Sequence, residues 1–485
     1  MGVAVNGKPV YTHGFGYRDV EKKLPVTADT IFGIGSITKS FTAVGIMQLA
    51  EQGKLSVEDP VVKYLPEFRV GKDGAEKRMT IHHFLTHTSG LPPLPTLNLA
   101  LARSLQADPE IKASPGWPEI EKLKPIDTPE QVMEFIAGLE IKLLGYPGQY
   151  FSYSNDAFAL LGTIIERVSG MPYESYITRN ILNPLGMTRS TFSVKDLEKD
   201  PNVAMLYSSK PKKGRAKDEV FASPFWWESP AMSAAGFLKS TVSDLLKYME
   251  IYRTGGTGNG VRILSAKSIA QMTTPYAEVV PGLHYGYGLT VHPNYHGVSL
   301  IEHGGNIKGV SAFVSCIPEK GITGACLTNL GSSPGGDLLL GAMNVILKLP
   351  TRTHRYIYPR YACPPEKLAR YAGVYVSEEG LESKTTITVI KGGLDILVEG
   401  KHLKARPTGV DTFAVRIKGL ESGIRFLTDT KGDTWAVALG YRIIRRVSDK
   451  VKTEDESKGK KSEIEGLKEK ALTKASRKRK IAKIA

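Results

Sequence analysis

The hydrophobic pattern begins with two short alternating runs on either side of Asn6-Gly7. Asn-Gly between alternating runs is typical of a tight hairpin turn, so we predict a β-hairpin over residues 3–16. From Ser36 onward, apolar residues recur mostly at the helical period until Gly53. This pattern predicts a helix that begins near Ser36 and ends at the glycine.

Residues 79–247 are mostly helical in pattern, most clearly at residues 155–168, where Ser169-Gly170 closes the segment. Residues 285–330 return to strand patterns around a Pro-Glu-Lys-Gly turn, and a helix is predicted at residues 336–347. The chain up to about residue 350 is therefore predicted to be an α/β (α+β) domain, with a helical insertion at about residues 79–247.

The pattern changes after a linker rich in Pro, Arg and Tyr at residues 351–365. Residues 366–448 contain short β runs separated by glycine turns, which is typical of a small antiparallel barrel. Residues 449–485 are charged and poor in apolar groups, so we expect a basic tail that is disordered or loosely helical. We predict a first domain at residues 1–350, the linker, the barrel and the tail.

Charge and cysteine content narrow the function classes. The 485 residues have a formal net charge of +15, but the chain has no nucleic-acid-binding motif, so a solvated surface with a lysine-rich tail is favoured and no nucleic-acid partner is expected. Three cysteines suit a reducing compartment. No long apolar run and no leader pattern occurs, so we predict no membrane span, no signal peptide and a cytoplasmic location.

Ser36 and Lys39 are the first chemical candidates. Positions i and i+3 share one face of a helix, so the Lys39 amine can reach the Ser36 hydroxyl. A serine is a weak nucleophile that needs a neighbouring base, and a lysine is a base only if its pKa is depressed. Ser209/Lys212 and Ser457/Lys460 have the same spacing but lie in polar stretches. Taken alone, Ser36 is more typical of a helix N-cap serine than of a nucleophile.

Tyr153 and Asn155 form a second candidate group, and His303, Gly305 and Asn306 form a third. A tyrosine can relay a proton, and an amide can hold a lysine or a substrate carbonyl. A glycine pair lets a strand approach closely, and the backbone N–H of Asn306 can stabilise an oxyanion opposite that of Ser36. Locally, a packed tyrosine, an N-cap asparagine and an ordinary histidine remain alternatives.

The three groups in this order resemble the class C β-lactamases and their relatives, which include D-aminopeptidases, D-stereospecific peptidases and β-lactamase-like esterases. The resemblance covers residues 2–347 and extends to the strings FGIGSITKSFTA, MTIHHFLTHTSGLP, FSYSNDAFALLGTIIERVSG and ILNPLGMTRST. It implies a β-lactamase/transpeptidase-like fold, with an antiparallel sheet flanked by helices and an all-helical insertion. From Tyr371 onward, the chain resembles the lipocalin-like barrel that some peptidases of this family carry.

The resemblance also implies roles for the candidates. Ser36 is implied as the nucleophile, Lys39 as the base, Tyr153 as the proton shuttle, and Asn155 as a substrate-orienting amide. His303 stands where true β-lactamases have a lysine, and a histidine is largely neutral at pH 7. Strong recognition of a substrate carboxylate is therefore not expected at His303.

We accordingly expect a serine hydrolase that acts through an acyl-enzyme, without a metal or organic cofactor. His83 and His87 have metal-ligand spacing, but the glutamate of a zinc protease is missing after His83. The expected substrates are small peptides, including peptides that contain D-residues. The alternative functions are a carboxylesterase and a non-catalytic binding protein on the same fold. Assembly of the chain into a homo-oligomer is a further hypothesis.

Overall fold

The alternating residues at the start of the chain and those after residue 276 form one eight-stranded antiparallel sheet. A computed structural model describes residues 1–71, 74–210, 218–379, 383–417 and 420–448, so the basic tail predicted at residues 449–485 lies outside the described residues. The sheet strands are β1 (Gly2–Val5), β2 (Lys8–Thr12), β3 (Ala277–Val280), β4 (Leu283–Tyr285), β5 (Thr290–Tyr295), β6 (Val298–Ile307), β7 (Val310–Ile317) and β8 (Ile322–Thr328).

The strand order is β3-β4-β5-β6-β7-β8-β1-β2, so the first hairpin of the chain pairs with the last strand of the sheet. The predicted hairpin is confirmed. Asn6 (φ 49°) and Gly7 (φ 77°) are both left-handed, as a two-residue turn with the twist of a β-hairpin requires.

Helices cover both faces of this sheet. The α-helices of the described residues are α1 (Thr38–Glu51), α2 (Ile81–Leu85), α3 (Thr96–Ala107), α4 (Pro109–Lys112), α5 (Trp117–Ile120), α6 (Pro129–Gly138), α7 (Asn155–Ser169), α8 (Tyr173–Ile177), α9 (Val194–Lys199), α10 (Ser233–Gly236), α11 (Val242–Thr254), α12 (Ala266–Met272), α13 (Gly335–Ile346) and α14 (Pro365–Leu368). The last of these packs into the core of the C-terminal domain and not on the sheet.

Successive strand residues face opposite sides of the sheet. Val3 and Cys326 pack with α13, whereas Ala4 and Ala325 belong to the larger core that contains α1, α7 and α11. The region between β2 and β3 contains α1 to α12, of which α2 to α10 lie within residues 79–247, where the sequence predicts a helical insertion. It also contains short strand pairs, Tyr207–Lys210 with Glu219–Ala222 and Phe32–Gly33 with Lys239–Ser240.

The C-terminal β runs close into an eight-stranded antiparallel barrel. Its strands are β9 (Gly373–Ser377), β10 (Ser383–Ile390), β11 (Gly393–Val398), β12 (Lys401–Gly409), β13 (Thr412–Ile417), β14 (Leu420–Thr428), β15 (Thr434–Leu439) and β16 (Arg442–Ser448). The predicted antiparallel barrel is confirmed. Pairing of β9 with β16 closes it, and three arginines obscure the strand pattern of β16.

The barrel docks on the chain segment that leads to Tyr153. Leu144 packs with Ala436 and Ile443 of the barrel. The backbone N–H of Tyr153 donates to the carbonyl of Tyr441, in the turn between β15 and β16, at 2.9 Å. The barrel therefore reaches the same region as the candidate residues of the first domain.

Candidate active site

Ser36 lies in a tight 3₁₀ turn (Gly35–Ile37) that leads directly into α1. Gly35 has φ +50°, and a Cβ atom there would lie 2.8 Å from the backbone nitrogen of Asn306, so only glycine suits the position. Ser36 is partly exposed. The alternative that Ser36 caps the helix is wrong, because the N-cap position of α1 is Ile37.

Lys39 is fully buried on the first turn of α1, with its amine directed at the Ser36 hydroxyl. Its Nζ lies 3.2 Å from Ser36 Oγ, 2.9 Å from Asn155 Oδ1 and 2.5 Å from the carbonyl oxygen of Ala235. Burial lowers the pKa of Lys39 well below its usual value, the nearby Arg442 lowers it further, and Glu379 opposes the change. A neutral amine here donates to Asn155 and Ala235 and accepts from the Ser36 hydroxyl.

Tyr153 lies against both of these residues. Lys39 Nζ is 4.8 Å from the centroid of the Tyr153 ring, and the ring of His87 lies 4.1 Å away from it between centroids. Burial raises the pKa of Tyr153, while a hydrogen bond with Ser36 and the charge of Arg442 act in the opposite direction. The phenol is therefore protonated at neutral pH and is placed to pass a proton near the Ser36 hydroxyl.

Asn155 begins α7, but it does not cap it. The Ser154 hydroxyl is the N-cap and accepts from the backbone N–H of Ala157 at 3.1 Å, so the Asn155 amide is available for other contacts. Its Oδ1 accepts from Lys39, and its Nδ2 donates to Glu379 Oε1 at 2.9 Å. The alternative that Asn155 is the N-cap is wrong.

Strand β6 carries His303, Gly305 and Asn306 past the Ser36 turn. A Cβ atom on Gly305 would lie 1.9 Å from the carbonyl oxygen of Ile34 and 3.0 Å from the backbone nitrogen of Ser36. The two backbones can therefore approach this closely only with glycine at position 305. This approach places the backbone nitrogens of Ser36 and Asn306 near each other, which is the proximity that an oxyanion site with two N–H donors requires.

His303 lies beside this group but uses both ring nitrogens elsewhere. Nδ1 lies 2.6 Å from the carbonyl oxygen of Gly304, so it carries a proton, and Nε2 lies 2.8 Å from the hydroxyl of Tyr285. Burial, followed by the charge of Lys39, lowers the pKa of His303 to about 4. His303 is therefore neutral at pH 7, as expected from its residue type.

Sequence reasoning missed the barrel residues that reach this site. Glu379 follows β9 and contacts Asn155, while Arg442, the first residue of β16, places its guanidinium carbon 4.5 Å from the centroid of the Tyr153 ring. Tyr441 contributes the carbonyl that receives the Tyr153 N–H. No local motif marks these residues, because a glutamate after a strand and an arginine after a hairpin turn are common on barrel surfaces.

The structure thus brings Ser36, Lys39, Tyr153 and Asn155 into one contact group, with Gly305 and Asn306 against the Ser36 turn. The fold is that of the serine hydrolases of the β-lactamase and penicillin-binding-protein type. The chain belongs to the Beta-lactamase family, whose model matches residues 1–344.

Several known proteins are similar to this chain. Protein flp of Staphylococcus aureus (strain N315) is 27% identical over 333 residues, which cover 68% of this chain and 59% of flp. The octameric penicillin-binding protein homologue from Pyrococcus abyssi is 32% identical with a TM-score of 0.63, over 92% of this chain and 95% of that one. The D-amino acid amidase from Ochrobactrum anthropi SV3, complexed with L-phenylalanine amide, is 25% identical with a TM-score of 0.53, over 68% and 85%.

The match to flp thus spans less than two thirds of that curated relative's length. Within the described part of the chain, none of the helices combines the length and apolar character needed to cross a lipid bilayer.

Proposed function

We propose that this chain is a serine hydrolase that forms an acyl-enzyme on Ser36 and cleaves the amide bonds of small peptides or amino-acid amides, including those of D-residues. One observation carries the proposal. The buried Lys39 amine lies 3.2 Å from Ser36 Oγ, in surroundings that lower its pKa. A lysine held in this way is able to act as a general base at neutral pH.

In the proposed acylation, Ser36 Oγ attacks the substrate carbonyl carbon while its proton moves to the neutral amine of Lys39. The backbone N–H groups of Ser36 and Asn306 donate to the oxyanion that forms. Tyr153 then gives its phenol proton to the leaving amine and recovers a proton from Lys39. The amide C–N bond breaks, and Ser36 carries the acyl group as an ester.

Deacylation is proposed to use the same residues in reverse. Water attacks the ester carbonyl and loses its proton through Tyr153 to the regenerated Lys39 amine. Ser36 recovers a proton from Lys39 as its ester bond breaks, and the acid product leaves. Ser36, Lys39 and Tyr153 end the cycle in their starting protonation states, because the proton that leaves with the amine is replaced by one from water.

The substrate class is supported by charge and by one relative. His303 is uncharged at pH 7, so this strand offers no permanent cation of the kind that holds the carboxylate of a β-lactam or a C-terminal peptide. The similarity to a D-amino acid amidase favours a small substrate with an amide bond over a large polymer. Glu379 and Arg442 of the barrel contact Asn155 and Tyr153, and we infer that side chains placed there leave room mainly for small substrates.

The first experiment is labelling with a fluorophosphonate probe, followed by mass spectrometry of the intact protein and of its peptides. We expect one adduct on Ser36, none on Ser36→Ala, and unchanged labelling of Ser209→Ala, whose serine shares the spacing but lacks the surroundings. Identical, unlabelled behaviour of wild type and Ser36→Ala would refute the enzyme proposal in favour of a binding protein.

The second experiment separates amidase from carboxylesterase. D- and L-amino acid amides and short-chain p-nitrophenyl esters are compared by kcat/KM, with Ser36→Ala as the blank. We expect amide turnover with a preference for one stereoisomer. Ester cleavage without any amide cleavage would instead assign the chain as a carboxylesterase.

We also propose that the chain forms a homo-oligomer, which is supported by the octameric homologue of Pyrococcus abyssi. We further propose a cytoplasmic location, because Cys316, Cys326 and Cys363 form no disulfide. Light scattering on the eluting peak of a sizing column measures the assembly, and a mass equal to one chain would refute it. Fractionation of cells that express the chain tests the location.

A further inference from the structure

We propose that the Glu379–Arg442 ion pair of the barrel is a positioning element of the active site, which orients Asn155 and sets the electrostatic environment of Lys39 and Tyr153. The inference rests on the proposed function, because it assigns the barrel a part in the Ser36 reaction. It also implies that the first domain alone does not hold the complete site.

The geometry of the pair carries the first step. Arg442 Nε donates to Glu379 Oε2 at 2.5 Å, and Arg442 Nη2 donates to Glu379 Oε1 at 2.9 Å, which forms a two-point contact. Both side chains are largely buried, with 21% and 16% exposure. The same Oε1 accepts from Asn155 Nδ2, while the other end of this amide accepts from Lys39. Glu379 therefore determines which end of the amide faces the lysine.

The second step concerns Tyr153, whose ring has a basic group near it in two directions. The Arg442 guanidinium carbon lies 4.5 Å and Lys39 Nζ lies 4.8 Å from the ring centroid. Arg442 directly follows Tyr441, whose carbonyl accepts the Tyr153 N–H at 2.9 Å. Docking of this barrel turn therefore places the Arg442 guanidinium against the Tyr153 ring.

The signs of the two charges differ, which makes the inference testable. Apart from burial, Arg442 lowers the pKa of Lys39, and Glu379 raises it. The rate of acylation should rise with pH as Lys39 loses its proton. Removing the positive charge should move this rise to higher pH, whereas removing the negative charge should move it to lower pH.

Other titratable groups face the same residues. His87, His303, Tyr285 and Tyr441 surround Tyr153. Burial lowers the pKa of both histidines, that of His303 to about 4, and raises those of both tyrosines. The two histidines therefore lose their protons at lower pH, and the two tyrosines at higher pH, than free side chains of their kinds.

Asp156 needs separate treatment. Burial raises its pKa to about 7, Glu379 contributes to the rise, and Arg442 opposes it. Its titration would respond to the pair in the same direction as that of Lys39. The measurements are therefore repeated in an Asp156→Asn background, where a persisting pH dependence belongs to the lysine.

The experiment measures the second-order rate constant of fluorophosphonate labelling of Ser36 against pH. It compares the full-length wild type with Arg442→Gln, Glu379→Gln and the double variant. The midpoint of the pH profile does not depend on the fraction of protein that is active, so partial misfolding does not hide the result. Arg442→Lys tests whether a cation alone is sufficient.

A matched control exists on the same barrel. Arg406 donates to Glu421 at 2.8 and 2.7 Å in a similar two-point contact, but its other partners are carbonyls of Tyr358 and Pro359 in the linker. Arg406→Gln and Glu421→Gln should leave the profile unchanged.

We expect opposite shifts from the two single variants, a double variant nearer to wild type, and a midpoint in Arg442→Lys closer to wild type than in Arg442→Gln. Shifts in one common direction, or none while Ser36 is still labelled, would overturn the inference but not the proposed function. Absence of Ser36 labelling in wild type at every pH would overturn both.

Discussion

The substitution Gly305→Ala tests whether the close approach of β6 to the Ser36 turn is needed for catalysis. The added methyl group would lie 1.9 Å from the carbonyl oxygen of Ile34 and 3.0 Å from the backbone nitrogen of Ser36. An ordinary contact between carbon and oxygen needs more than about 3 Å, so the two backbones must separate by about 1 Å. Both obstacles are backbone atoms, which cannot rotate away.

This separation displaces the backbone N–H of Asn306 from that of Ser36. The loss of one oxyanion donor costs about 10²–10³ in kcat, or about 2.7–4 kcal/mol of transition-state stabilisation. We therefore expect kcat/KM of Gly305→Ala to fall by about 10²-fold or more, measured as initial rates on the substrate that the amide and ester comparison identifies.

The neighbouring Gly304→Ala is the matched control. Its methyl group would meet the side chain of Phe313 at 2.7 Å instead of backbone. An aromatic ring can move, so this variant should lose stability while keeping much more of its activity. Thermal unfolding followed by circular dichroism reports stability separately. Wild-type kcat/KM in Gly305→Ala, or an equal loss of kcat/KM in both variants, would refute the reasoning.

Three further outcomes are expected. Lys39→Met should lower kcat by about 10²–10⁴, because the general base is lost, and should change the melting temperature little, since removal of a buried amine offsets the loss of its hydrogen bonds to Asn155 and Ala235. Tyr153→Phe should slow turnover more than Ser36 labelling by fluorophosphonate, because that probe's leaving fluoride needs less help from a proton donor than an amine does. Burial would raise the pKa of Glu302, but Arg355 and the hydrogen bond from His292 outweigh it and lower the pKa to about 2. The stability that this carboxylate contributes should therefore be complete above its unfolded pKa of about 4.3 and fall as the pH drops towards 2; urea unfolding should show a weaker acid dependence in Glu302→Gln.

Much of the local structure follows from short stretches of sequence. Asn6-Gly7 determines a hairpin because both residues adopt left-handed conformations at low cost. The spacing of Ser36 and Lys39 places both side chains on one side of the 3₁₀ turn and the helix start that follows it. Alternating apolar residues with glycine turns are sufficient to predict the barrel, although the arginines of β16 hide its closing strand.

Other parts of the site depend on contacts that local sequence does not encode. Ser154 and Asn155 are both good N-cap residues, and only the folded chain decides that the serine caps α7 and the asparagine reaches Lys39. The residue type of His303 already predicts a neutral ring at pH 7, but only the fold supplies the burial and the charge of Lys39 that lower its pKa to about 4.

The sequence by itself therefore determined the chemical identity and local spacing of the candidate residues, because turns and helices depend on neighbours a few positions apart. The tertiary structure alone decided that Glu379 accepts a hydrogen bond from Asn155, which lies 224 positions earlier in the chain. It also decided that the Arg442 guanidinium packs against the Tyr153 ring. Such contacts arise when the barrel docks through its apolar surface on residues such as Leu144. Docking depends on the shape of two assembled surfaces, and no short stretch of the chain carries that information.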